Sequence, residues 1–195
     1  MREESSTLCT AFRGTQRIAG GALPEVALQA KAAVDRGEQV LIFDDATSEP
    51  IEVDFRGTAA DVRKRLAPSG QQNETPRGPG RPKLGVVARE VTLLPRHWEW
   101  LSGQPGGASV ALRKLVEEAK RANAGKDRLR QSQEAAYRFM SAMAGNLPDF
   151  EEATRALFAG DATRFDELIE PWPRDVRDHA KKLAATALAR DTAGS

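Results

Sequence analysis

Residues 84–122, LGVVAREVTLLPRHWEWLSGQPGGASVALRKLVEEAKRA, contain the most informative pattern of the chain. Val91 and Leu93 alternate with polar neighbours, which predicts a short strand. Pro95 suits the first turn of a helix, and the glycine-rich stretch that follows should end that helix. Ser109 is a good N-cap for a second helix. The predicted order is therefore strand, helix, turn and helix.

Both predicted helices have one apolar face. In the first helix, Trp98 and Leu101 are three residues apart and therefore share a face. The second helix has a stripe at helical spacing, with charged residues between its members. The members of this stripe are Leu112, Leu115, Val116 and Ala119.

This segment resembles the ribbon-helix-helix DNA-binding proteins. The resemblance is carried by the Gly-x-Ser turn and the Ser-x-x-Leu-Arg-x-Leu-Val helix, which here are Gly107, Ser109, Leu112, Arg113, Leu115 and Val116. It implies an intertwined homodimer in which one strand from each chain enters the major groove. The residues that it assigns to the dimer interface are Val91, Leu93, Trp98, Leu101, Leu112, Leu115 and Val116.

The same resemblance implies which side chains contact DNA. The outward side of the strand would read bases, and the start of the second helix would hold a phosphate. The family usually has a basic or amide residue on the outward side, whereas Glu90 repels phosphate. A shift of one residue would expose Arg89 instead. The residues assigned to DNA contact in this segment are Ala88, Arg89, Glu90, Thr92, Ser109 and Arg113.

A second basic element precedes the strand, at residues 77–83 (RGPGRPK). It resembles a partial AT-hook, which implies that Arg77, Arg81 and Lys83 follow the minor groove of A·T-rich DNA. Only the Gly-Arg-Pro-Lys half fits, because Pro79 stands where an arginine is usual. The alternative is a solvated linker without a binding role.

The remaining chain predicts an α+β protein with a small N-terminal α/β module, a basic linker, the ribbon-helix-helix-like segment and a C-terminal helical bundle. The module includes extended segments before residue 20, a helix between Pro24 and Gly37, strands at QVLIFDD and PIEVDF, and a helix capped by Thr58. We expect helix ends at Gly125, Gly145 and Gly160. The predicted boundaries are 1–67, 68–85, 86–122 and 126–190.

Charge is distributed unevenly along the chain. Residues 76–130 carry 12 basic and 5 acidic side chains, whereas residues 1–75 carry 9 and 12 and residues 131–195 carry 8 and 11. A middle segment at +7 favours a polyanionic partner, most often nucleic acid.

Few residues suggest chemistry. Cys9, His97 and His179 make no metal-binding pattern, so neither a metal nor a cofactor is expected. We expect Asp44 and Asp45 to form a turn, His179 to lie on a solvated helix face, and the protein not to be an enzyme. The apolar residues of the C-terminal helices, Tyr137 and Phe158 among them, should form a helical core.

The whole chain also resembles an uncharacterised bacterial family, a domain of unknown function. The characteristic stretches are residues 81–119 and FMSAMAGNLPDFEEATRALFAGD. The resemblance implies a bacterial protein and assigns no activity. Because no signal peptide or membrane span is visible in the sequence, a cytoplasmic, nucleoid-associated location is expected.

Two hypotheses of function follow. The first is a homodimeric bacterial DNA-binding protein, a transcriptional regulator or nucleoid-associated factor, that binds double-stranded DNA. The AT-hook resemblance implies a preference for A·T-rich sequence. The second is an adaptor that binds no DNA, in which the strand-helix-helix segment serves dimerisation only. In either case the C-terminal helices offer a surface for a protein partner.

Overall fold

The computed structural model describes residues 7–67, 87 and 89–189. The helices and strands in chain order are β1 (Leu8–Arg13), β2 (Gln16–Ala22), α1 (Leu23–Asp35), β3 (Val40–Asp44), α2 (Ala59–Leu66), α3 (Pro95–Ser102), α4 (Gly107–Ala144), α5 (Phe150–Ala159), α6 (Ala162–Ile169) and α7 (Arg174–Leu188). This content confirms the α+β class. None of the helices in the described part of the chain is both long and apolar enough to cross a membrane.

The strands form one antiparallel sheet in the order β2-β1-β3. A tight turn joins β1 to β2. Gly14 in that turn has a φ of 54°, a backbone conformation that residues other than glycine rarely adopt. The sequence favours one or two extended segments over residues 7–19. The structure has two, which form a hairpin, and β3 pairs with the other side of β1.

The glycine predicted to end α1 does so. Gly37 has a φ of 78°, and its N–H donates to the carbonyl of Val34 at 2.9 Å. The next N–H, of Glu38, donates to the carbonyl of Ala33 at 3.1 Å. This pair of bonds is the Schellman motif, which satisfies carbonyls that the helix end leaves open.

The strand predicted at residues 50–55 is wrong. Only Pro50 pairs with β3, through an isolated bridge to Phe43, and no ladder continues beyond it. The Phe55 carbonyl accepts instead from Lys31 Nζ at 3.2 Å. The apolar side chains of this segment nevertheless pack against the core beneath α1. The alternation of apolar and acidic residues therefore predicted which side chains are buried, but not how the backbone pairs.

Contacts divide the chain into two compact units, of which the first joins the residues up to 67 with those from 126 onward. The sequence-based boundaries treat these two regions as separate. They share one core because Phe139 of α4 packs against Phe12 of β1 and Phe43 of β3, with ring centroids 5.3 Å apart in both pairs. One face of the sheet is thereby covered by the C-terminal helices.

Helix starts and stops in the C-terminal region agree with the sequence. Gly160 ends α5 with a φ of 71°, and the Asp161 carboxylate accepts from the N–H of Arg164 at 3.0 Å and caps α6. Trp172 lies between α6 and α7 and donates from Nε1 to the Pro148 carbonyl at 2.8 Å. This bond ties the break between α6 and α7 to the segment that precedes α5.

Gly125 does not end a helix, contrary to the prediction, because α4 runs through it from Gly107 to Ala144. The prediction failed because a single glycine inside a helix costs only about 1 kcal/mol, which the flanking residues offset. Gly125 is also absent from the glycines with positive φ, in contrast to the true helix stops at Gly37 and Gly160.

Replacing Gly125 by alanine should therefore stabilise the protein. Nothing lies within 4 Å of a Cβ added at this position. The free energy of unfolding, measured by urea denaturation, should rise by roughly 0.5–1 kcal/mol. Gly160→Ala is the matched control and should lower it, because the φ at Gly160 is strained for alanine. A loss of stability in Gly125→Ala would contradict a continuous α4.

Candidate nucleic-acid interface

The second unit, residues 68–125, contains the segment predicted to bind DNA. Both predicted helices are present, as α3 and the first part of α4. The predicted strand is not formed, since residues 87 and 89–94 have no strand structure in the single chain. In the ribbon-helix-helix interpretation the hydrogen-bonding partner of this strand is the same strand of a second chain. Within that interpretation, a single chain leaves the segment unpaired.

The turn between α3 and α4 has the expected glycine geometry. Gly106 and Gly107 have φ values of 86° and 74°. The helix begins at Gly107, two residues before the predicted cap, so Ser109 lies within the first turn instead of capping it. Arg113 Nε donates to the Ser109 carbonyl at 3.1 Å, which holds the guanidinium close to the start of α4.

Most apolar side chains of this unit lie open to solvent. Only Leu101 and Ala111 are buried among its described residues. Of the seven residues assigned to the dimer interface, Leu101 is buried, and Leu93 and Leu112 are half-buried. The remaining four are exposed: Val91 54%, Trp98 40%, Leu115 43% and Val116 54%. Trp100 and His97 on α3 are exposed as well.

The residues assigned to DNA contact are exposed where the structure describes them. Arg89, Glu90 and Thr92 are all open to solvent, so the single chain does not separate the two possible strand registers. On α4, the basic side chains Arg113, Lys114, Lys120 and Arg121 are exposed. Arg77, Arg81, Lys83 and Ala88 lie outside the described residues.

The prediction for His179 is wrong, because its side chain is buried in the first unit with 3% exposure. Its ring packs against Phe12 and Phe139, at centroid distances of 5.4 and 4.6 Å. The sequence held a signal for this burial, since His179 shares a helical face with Val176 and Leu183, which are also buried. The charged residues nearby concealed that stripe.

His179 is also electrostatically unusual. Its Nε2 atom has no hydrogen-bonding partner within the described part of the chain. Burial, assisted by the nearby positive charges of Lys182 and Arg17 and opposed by Asp45, lowers the pKa of His179 from 6.5 to about 4. The ring is therefore neutral at pH 7.

Asp45 links the turn after β3 to α7. One carboxylate oxygen accepts from Thr10 Oγ1 at 2.6 Å and the other from Lys182 Nζ at 2.7 Å. Burial opposes ionisation of Asp45, but these hydrogen bonds outweigh it and lower its pKa. Asp44 accepts from the N–H groups of Ala46 and the following residue, both at 2.8 Å, as expected of a turn. Among the described residues, no three His, Cys, Asp or Glu side chains are close enough to hold a metal ion.

The C-terminal helices expose an aromatic pair that the sequence placed in the core. Tyr137 and Phe158 are about half exposed, with ring centroids 5.9 Å apart. They line a shallow groove of about 390 Å³ together with Glu134, Arg138 and Ser141. The groove lies within the first unit and is open to solvent.

The fold and the interface together define an α+β protein with one closed unit and one unit whose apolar side chains remain uncovered. The chain belongs to the family described as "Uncharacterized protein conserved in bacteria (DUF2239)", whose model matches residues 8–184. This match confirms the bacterial family that the sequence suggested. No curated protein and no solved structure matches the chain. The ribbon-helix-helix and AT-hook interpretations thus remain predictions.

Proposed function

We propose that the protein is a homodimeric DNA-binding protein of bacteria, a regulator or nucleoid-associated factor, that dimerises and contacts DNA through residues 77–125. The observation that carries the proposal is the exposure of apolar side chains along α3 and the first part of α4. A unit of this size with two buried apolar residues among those described has too little core to be stable alone. A second chain would supply the missing contacts.

The charge of the same segment supports DNA as the ligand. Residues 76–130, which include it, carry an excess of seven positive charges, whereas residues 1–75 and 131–195 are each negative by three. Within the first part of α4, the basic residues Arg113, Lys114 and Arg121 lie away from the apolar stripe at Leu115 and Ala119. Dimerisation through the stripe would leave those cations in solvent, where they can neutralise phosphates.

The start of α4 supports a phosphate contact. The first N–H groups of a helix have no acceptor within the helix and favour an anion. Arg113 is held beside this end by its bond to the Ser109 carbonyl. In the proposed complex this end of α4 positions the dimer on the backbone. The base edges are faced either by Glu90 and Thr92 or, with the strand shifted by one residue, by Arg89.

Fluorescence anisotropy with labelled duplexes of about 25 base pairs, one A·T-rich and one G·C-rich, tests this proposal. If each chain places two to four cations on phosphates, the log-log salt slope of the dimer should be roughly −3 to −7. Arg81→Ala/Lys83→Ala should weaken binding, flatten the slope and remove any preference for A·T. Failure of the native protein to bind either duplex at low salt would overturn the proposal.

A matched control removes the same charge elsewhere. Arg155 and Arg164 are exposed on α5 and α6. Among the residues that the structure describes, their salt bridges are to acidic neighbours on their own helices. Arg155→Ala/Arg164→Ala should leave both the affinity for duplex and the salt slope unchanged. An equal loss in this variant would mean that net charge, and not residues 77–125, governs binding.

The groove at Tyr137 and Phe158 favours the adaptor as a second candidate. An exposed aromatic pair on a region of net negative charge suits a protein partner better than DNA. This candidate predicts a dimer that binds no duplex at physiological salt. It also predicts that Phe158→Ser abolishes capture of the partner and leaves the dimer intact.

A further inference from the structure

The first part of α4 carries an apolar stripe with coiled-coil spacing. Starting from Leu112, the intervals of three, four and three residues reach Leu115, Ala119 and Ala122. Alternating intervals of three and four are the spacing by which one helix packs along another. Leu112 is half-buried and the other three are exposed. The geometry of the uncovered surface therefore fits a helix.

The residue sizes along this stripe change from large to small. The two leucines come first and the two alanines follow, so a parallel copy would create two large layers and two small ones. An antiparallel copy would instead place one leucine and one alanine in each layer. Even layer volumes avoid both cavities and overpacking. The stripe is thus complementary to itself when the second copy is reversed.

The charges of α4 favour the same occupant. Arg113, Lys114, Lys120 and Arg121 lie on the face away from the stripe, so two copies can approach without bringing these cations together. In the reversed arrangement, two-fold symmetry places the Glu118 side chains of both copies along one edge of the contact and the Val116 side chains along the other. Glu118 is exposed, so this single like-charge pair stays in solvent, where it costs little.

We infer that α4 pairs antiparallel with α4 of a second copy, with Leu112 against the partner's Ala122 and Leu115 against the partner's Ala119. This inference rests on the dimer of the proposed function and specifies its register. The two-fold axis passes between Leu115 and Ala119, midway along the four residues of the stripe. Each of the four layers then contains one leucine and one alanine.

Disulfide crosslinking of the full-length protein tests the register. Leu112→Cys and Ala122→Cys chains are prepared separately, mixed, and oxidised under mild conditions. Opposed positions meet the Cα separation of at most about 7 Å that a disulfide requires. Identical positions would be about 15 Å apart along the axis, at 1.5 Å per residue. The mixture should crosslink between unlike chains, and neither variant should crosslink alone. The native protein is the background control, since its single cysteine, Cys9, is fully buried.

A crosslink formed by Leu112→Cys chains alone would overturn the antiparallel register. If such a protein still bound duplex, the proposed function would stand while this inference failed. Conversely, the expected crosslink in a protein without affinity for duplex would retain the register and reject DNA binding. A protein that is monomeric at micromolar concentration would overturn the inference.

A size exchange provides a second test that needs no cysteine. Leu115→Ala creates a layer of two alanines, and Ala119→Leu creates a layer of two leucines. Each change should weaken the dimer by at least about tenfold in sedimentation equilibrium. The double variant Leu115→Ala/Ala119→Leu restores one leucine and one alanine per layer and should recover most of the affinity. A double variant weaker than both single variants would contradict the pairing.

Discussion

Replacing Leu115 and Val116 by serine is expected to turn the proposed dimer into a monomer and to weaken duplex binding by at least about 100-fold. Both side chains are exposed in the single chain, so their replacement removes little packing within it. In the dimer each of them would be buried, and burial of such a side chain is worth about 1.5–3 kcal/mol. Four lost side chains per dimer exceed the roughly 2.7 kcal/mol that corresponds to 100-fold. Light scattering measures the mass, and anisotropy measures the affinity for duplex.

The serine variant keeps the net charge, so a loss of DNA affinity would reflect dimerisation and not electrostatics. Phe158→Ser is the matched control, since it removes a similarly exposed apolar side chain from the first unit. The control should remain dimeric and bind duplex as the native protein does. A serine variant that stays dimeric would show that the exposed stripe of α4 is not the dimer contact.

The sequence predicts a helix end or a turn correctly where a single residue type determines the backbone conformation. Gly37 and Gly160 end helices because their positive φ suits glycine, and Thr58 caps α2 in a reciprocal pair with Asp61. Gly125 is also a glycine, but α4 continues through it. Whether a glycine ends a helix depends on whether the residues on both sides are more stable as one helix, and the glycine by itself does not indicate this.

Long-range packing escaped prediction for a different reason. The contact of Phe139 with Phe12 joins residues more than 120 positions apart, and no periodicity in either segment indicates the other. The same holds for Asp45 and Lys182, whose bond ties the turn after β3 to α7. Sequence patterns give the buried face of each element but not the element that covers it. For this reason the sequence predicts the N-terminal and C-terminal regions as separate domains, although they share one core.

For the candidate interface, the sequence predicted the two helices and their apolar residues. The structure adds that most of these apolar side chains are exposed to solvent. Periodicity identified Leu115 and Val116 as members of a buried stripe. The single chain leaves both uncovered, and this exposure is the observation on which the proposed dimer rests. In the same proposal the strand predicted around Val91 would pair with its copy in the second chain.

Stability should fall steeply as the pH drops from 6.5 towards 4, and His179 should be the cause. The unfolded chain protonates this histidine near pH 6.5, whereas the folded protein does so only near pH 4, where the pKa of the buried ring lies. Between those values the unfolded state binds more protons, so acid favours unfolding. At about 1.4 kcal/mol per pH unit, the interval is worth about 3 kcal/mol.

His179→Leu should flatten the pH dependence between pH 6.5 and 4.5 in urea denaturation, because the titrating group is gone. His97→Gln is the matched control, since His97 is exposed and is the only other histidine. That control should keep the full decline of the native protein. Asp45 acts in a separate window, because its lowered pKa preserves its bond to Lys182 until the pH falls below its ordinary value of 3.8. A native His179 that titrates near 6.5 by NMR would contradict a buried neutral ring between Phe12 and Phe139.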